Sequence, residues 1–167
     1  MVAGSNSWTF LDELDDPASL NSSILYLYRY WRNISPAGSL PGRQHFDPLH
    51  VPHLMPRVWM LDVVRPELRL RYRLVGTREV ATLERDPTGE WLDEVHPVVK
   101  EDPVLASRYR HTVETGRPTY RFGNVRFAHD KLHQKVENII LPFARDGVEV
   151  DMLLAFSILY RSDGTEI

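Results

Sequence analysis

The side chains best suited to chemistry are the histidines, seven in all, set in a chain with no cysteine. His45, His50 and His53 fall close together, and three imidazoles can hold zinc. Their intervals match no paired-ligand motif, and prolines break the segment, so a solvated stretch is expected and no metal. His129 and His133 flank Asp130 and Lys131 in what reads as an exposed loop. Asp93 and His96 could form an acid–imidazole pair, yet nearness in sequence does not make a site. Asp62 is the acid inside the first apolar strand run. A small cavity enzyme of cyclase or isomerase type would need such a group, buried and with a shifted pKa. Asn138 and Ser157 interrupt apolar strands. If they point inward, each needs a polar partner, which a ligand could supply; tyrosine hydroxyls could serve alike. There is no G-x-S-x-G elbow, Walker loop, dinucleotide glycine fingerprint or H-E-x-x-H. Without cysteine, disulfides, thiolate zinc, thiol catalysis and cysteine-linked chromophores are excluded, and a reducing, cytoplasmic setting is expected.

These groups must be held by the elements around them. Residues 1–18, acidic from Asp12 to Asp16, read as a flexible arm without a signal-peptide pattern. Leu20, Ile24, Leu27, Tyr28 and Trp31 recur at helical spacing and give one apolar stripe. Five prolines between Ser35 and Pro56 forbid a long helix or central strand, so 19–56 divides into a helix and an extended linker. Leu68, Leu70, Tyr72 and Leu74 alternate with Arg69, Arg71 and Arg73, the clearest strand signal in the chain. With Val58–Val64 and a turn at Pro66–Glu67 this predicts a hairpin. The arginine row is expected on a solvated face or in salt bridges. Gly76 would turn the chain off the sheet, using a positive φ, and Thr77 would cap the helix that follows. Asp86 and Thr88 would bond turn amides around Pro87 and Gly89. A longer helix is predicted from about Glu101 to Thr115, with Gly116 as its C-cap. Three strands close the chain: Tyr120–Phe127, its phase shift at Gly123 suggesting a bulge, then Gln134–Ala144 and Val150–Tyr160. A domain over 57–161 and a tail over 162–167 are expected. The class is α+β: a five-stranded antiparallel sheet with a helical cover on one face, plus an N-terminal helix.

Two strands, a helical cover and three strands is also the element order of PAS domains. The stretch from Leu40 to Val64 resembles the opening of PAS_5, a bacterial family of short PAS-like proteins known mostly from alphaproteobacteria. Leu40-Pro41-Gly42-Arg43, Phe46-Asp47-Pro48 and Met55-Pro56 match its L-P-x-R, F-D-P and L-P segments, with methionine in place of leucine. Arg71 to Thr77 and Arg85 to Glu94 resemble its R-Y-R-L-V-G-T and R-D-x-T-G-x-x-L-D-E signatures.

The resemblance implies a sensory or protein-interaction module without catalysis, standing alone and binding a small molecule or a protein between sheet and helices. The candidate pocket residues are Tyr72, Leu74, Val80, Trp91, Leu92, Tyr109, Val113, Phe122, Asn138, Ile140, Phe156 and Ile158. Certain PAS domains ligate haem through a histidine on the corresponding helix, here His111; a lone helical histidine is more often on the surface, and haem is not expected. Flanking helices dimerise many PAS domains, which makes Leu20, Ile24, Leu27 and Trp31 candidates for a homodimer seam. A separate regulatory protein is the other partner considered, and a ligand-free adaptor the remaining reading. A formal charge of −3 and no accompanying aromatic platform argue against nucleic acid. No apolar run approaches the ~20 residues that span a bilayer.

Overall fold

The strand carrying the three arginines lies at one end of a mixed-length antiparallel sheet. A computed structural model of the chain describes residues 7–126 and 134–167. Strands β1 (Thr9–Phe10), β2 (Val58–Val64), β3 (Arg69–Val75), β4 (Thr119–Asn124), β5 (Lys135–Phe143) and β6 (Met152–Tyr160) stand in the order β1-β4-β5-β6-β2-β3. The hairpin of β2 and β3 and the three closing strands are where periodicity put them.

Among the described residues the sheet has six strands rather than five. The sixth comes from the segment read as a flexible arm. Thr9 pairs with Tyr120 and Phe10 with Thr119. Leu11 is buried, and its amide donates to the Pro118 carbonyl at 2.9 Å. The Arg117 guanidinium lies 3.7 Å over the Phe10 ring and bonds Asp12 and Glu13. The acidic cluster thus anchors this segment.

Helix α1 (Ser22–Ile34) starts where the Asn21 side chain accepts from the Ser23 amide. Its stripe turns inward: Leu20, Ile24, Leu27 and Trp31 are buried against Phe143, Leu154 and Phe156 of the sheet. Trp31 Nε1 donates to the Pro142 carbonyl at 2.9 Å. The stripe expected at a dimer seam is therefore occupied by the chain's own core. The proline-rich segment is not a solvated linker either. It winds through three 3-10 turns and adds Phe46, Val51 and Leu54 to that core.

The other face is covered by α2 (Thr77–Leu83), α3 (Leu92–Val95), α4 (Val98–Glu101) and α5 (Pro103–Thr115). Asp102 caps α5 through its side chain, and Gly116 ends it at φ 64°, a conformation that favours glycine. A second apolar cluster fills this side, with Leu61, Tyr72, Leu92, Tyr109, Val113, Ile140 and Leu153.

Strand parity decides which face each side chain joins. Leu153 and Ala155 of β6 face the helical cover, while Met152, Leu154, Phe156 and Ile158 face α1. In β3 the parity breaks. Met60 pairs with Leu74 but Leu61 with Tyr72, so Arg73 is an extra residue and Leu74 turns to the α1 face. Gly123, by contrast, sits in unbroken register with Val136, so the expected bulge is absent there. Gly76 has φ −65° and needs no left-handed backbone. Its role is close approach: a Cβ would lie 2.4 Å from the Met55 and Pro56 carbonyl oxygens. Gly76, not Thr77, occupies the N-cap of α2. The Asp86 carboxylate accepts from the Thr88 amide at 3.0 Å and its hydroxyl at 2.6 Å, as the turn chemistry predicts.

Candidate functional site

Between the sheet and the helical cover lies a cavity of about 330 Å³. Its apolar wall comes from both layers: Trp59, Tyr72, Val136 and Leu159 from strands, Leu83, Leu105 and Tyr109 from helices, with Val125 beyond β4. Polar groups interrupt this wall: Glu79, Thr82, His96, Arg108, Arg121, Arg126, Asn138 and Ser157.

Asn138 and Ser157 are paired across β5 and β6, and they satisfy each other. Asn138 Nδ2 donates to Ser157 Oγ at 3.0 Å and to the Phe156 carbonyl at 3.1 Å. Arg108 is only 3% exposed. Its Nε donates to Thr119 Oγ1 at 3.1 Å, and a terminal nitrogen reaches the Thr119 and Asn138 carbonyls at 3.2 and 3.1 Å. Three neutral oxygens thus fix a guanidinium whose pKa burial pulls down to about 9. Arg121, also buried, gives one terminal nitrogen to the Asn124 carbonyl. Burial first, then the nearby Arg126 charge, lowers its pKa. Arg126 is ion-paired with Asp102.

Two buried donors on this wall have no partner among the described residues: Arg121 Nε and Trp59 Nε1. Such groups are rare in folded proteins and call for an acceptor. Across from them, on α2, burial pushes the Glu79 carboxyl up to about 7. Burial holds His96 down at about 4, so its ring, 6.3 Å from that of Tyr72, is neutral near pH 7. The Tyr72 and Tyr109 phenols are raised by burial and stay protonated.

Of the twelve pocket candidates, Tyr72, Tyr109 and Asn138 line the cavity. Leu92, Val113 and Ile140 belong to the same apolar cluster but fill it behind the wall. Val80 lies on α2 away from the wall. Trp91 precedes α3 and carries the Arg69 and Arg71 guanidiniums over its ring, at 4.2 and 5.7 Å. Leu74, Phe156 and Ile158 are on the α1 face, where Phe122 packs against Tyr160. Four of the nine residues off the wall, Leu74, Phe122, Phe156 and Ile158, were lost to parity, which the sheet register sets and composition does not. Sequence reasoning missed Trp59, Glu79, His96, Arg108 and Arg121. Nothing local marks an arginine as buried, because charged residues are seldom buried unless paired.

The remaining candidates have other neighbours. His45 Nδ1 accepts from the Gly42 amide, His50 meets the Tyr30 hydroxyl at 3.2 Å, and His53 packs on Tyr26. Among the described residues no group of three or more His, Asp or Glu could hold a metal ion. His111 is on the exposed side of α5, against Trp8, and is not on the cavity wall. His129 and His133 lie outside the described residues. Asp62 bonds Arg73 at 3.0 Å and is partly exposed, so it is not a buried acid. Arg69 makes two bonds to Asp93 and one to Glu94, which ties the basic row to the helical cover. Among the described residues no helix is long and apolar enough to cross a membrane.

The PAS_5 family model, described as a PAS domain, matches residues 20–156. Among solved structures the chain is similar to one titled as an RNA-binding Light-Oxygen-Voltage receptor. The identity is 14% and the TM-score 0.49, over 93% of this chain and 39% of that one. The chain therefore spans well under half of that receptor's length. The comparison with curated proteins found no match.

Proposed function

This chain belongs to the PAS_5 family of PAS domains, and from that premise we propose that it is a sensory module reading the occupancy of its internal cavity by a small molecule, without catalysis. The observation that carries this reading is the cavity itself. It combines a largely apolar wall with two buried donors that have no partner among the described residues, the pattern expected of a small-molecule site. A filled core would have no use for those donors.

Occupancy would alter the packing of α2 to α5 on the sheet, and a partner would read the change. That partner is a second copy or a separate regulatory protein. With the α1 stripe buried, a homodimer built on α1 would use its outer side, where Tyr26 is exposed.

Native mass spectrometry of freshly purified protein, beside its denatured mass, tests both parts. The expected result is a reproducible noncovalent mass excess and a dimer peak. The bare chain mass, with no small molecule stabilising the protein in a broad screen, would refute ligand sensing and leave a ligand-free adaptor. A cavity enzyme is the second reading, because His96 is buried, Glu79 is half-buried, and both have displaced pKa values. Chemical alteration of the recovered molecule on incubation with the protein would favour that reading over sensing.

A further inference from the structure

Among the described residues, the arginines around the cavity are not all paired with carboxylates. Arg126 has Asp102 as its counterion. Arg108 is held by the Thr119 hydroxyl and two carbonyl oxygens, and Arg121 by the Asn124 carbonyl. Neither makes an ion pair among the described residues. Both are at least 96% buried, at 3% and 4% exposure. The carboxyl on the wall among the described residues is Glu79, and the charges that offset it are Arg57 and Arg78 rather than these two guanidiniums. A buried charge held only by neutral oxygens is costly, and folded proteins normally pair it.

The neighbourhood of Arg121 is shaped for a ligand rather than a filled core. Among the described residues its Nε has no acceptor, and neither has Trp59 Nε1 on the same wall. A guanidinium presents donors in a planar fork that matches a carboxylate, and the pair forms short, strong hydrogen bonds. Gly123 leaves the seat of this group open: a Cβ there would lie 3.2 Å from the Arg121 terminal nitrogen.

Resting on the sensory reading above, we propose that the cavity takes a small organic monoanion, a carboxylate on an apolar body, with Arg121 as the carboxylate contact and Arg108 as the fixed positive charge beside it. Arg121, the guanidinium with an unpartnered nitrogen among the described residues, calls for one negative charge, which a monocarboxylate supplies. A phosphate dianion carries twice the charge and would cost more to desolvate. Trp59, Tyr72, Tyr109 and Leu105 supply the apolar surface for the body. A cavity of about 330 Å³ is at the small end of ligand sites, which limits the body to about one ring or a short chain.

The test is calorimetric titration with matched acid and amide probes: benzoate and benzamide, phenylacetate and phenylacetamide, hexanoate and hexanamide. Wild-type protein is expected to bind at least one acid about tenfold or more tightly than its amide. Arg121→Met should abolish that preference, while Arg121→Lys should retain part of it. Circular dichroism reports whether each variant folds, and the acid-to-amide ratio on wild-type protein is decisive without any variant. Equal binding of acids and amides would overturn the charge assignment and leave the sensing cavity standing. Stronger binding of inorganic phosphate, in competition, would also overturn it. If no acid and no amide binds, the cavity reading falls with it.

Discussion

Glu79→Gln isolates the cost of placing a carboxyl in the cavity wall. Burial is the main reason this carboxyl titrates near 7 rather than at its ordinary 4.5, with Arg57 and Arg78 only partly offsetting it. A folded pKa above the unfolded one means the fold holds the proton more tightly. The resulting stability is fully present below about pH 4.5 and is lost as pH rises through about 7. At about 1.4 kcal/mol per pH unit, that span corresponds to a ceiling of about 3 kcal/mol, reduced by the side chain's partial exposure. Glutamine cannot ionise and does not incur this loss. Urea denaturation of both proteins should therefore show little difference at pH 4.5, and at pH 8 the variant more stable by about 1–3 kcal/mol. Other carboxyl groups titrate equally in both proteins and cancel in the difference. A difference that does not change with pH, or a wild type that is the more stable at pH 8, would refute the burial of Glu79.

Two packing predictions follow from the faces the sheet assigns. Leu27 of α1, fully buried against the sheet, should cost about 2–5 kcal/mol when cut to alanine, by urea denaturation. Leu27→Asp should leave the chain unfolded; a folded Leu27→Asp variant that merely lost self-association would show the stripe to be a dimer seam after all. Gly76→Ala drives a Cβ into two backbone oxygens at 2.4 Å, and backbone cannot swing aside as a side chain can. It should lower stability by about 1–3 kcal/mol or more, and a thermal midpoint equal to wild type would contradict that close contact.

What the sequence determined by itself was local. Helical spacing marked α1, strict alternation marked β3, and Gly116 closed α5, because each signal depends on neighbours a few residues apart. The motif between Leu40 and Glu94 pointed to the PAS fold, and the matched family bears that out. Tertiary structure decided the rest. One extra residue at Arg73 turned Leu74 to the far face, and strand register sent Phe156 and Ile158 there too. The arm at Thr9–Phe10 became a strand only because β4 offered it an edge. Arg108 can be buried because β4 and β5 bring the oxygens of Thr119 and Asn138 to one point, from residues 11 and 30 positions away in the chain. Glu79 and His96 are displaced in opposite senses by the same desolvation, which exists only once sheet and cover meet. A chain's spacing reports the periodicity of each element, but the environment of a cavity is a product of register and packing between elements distant in sequence.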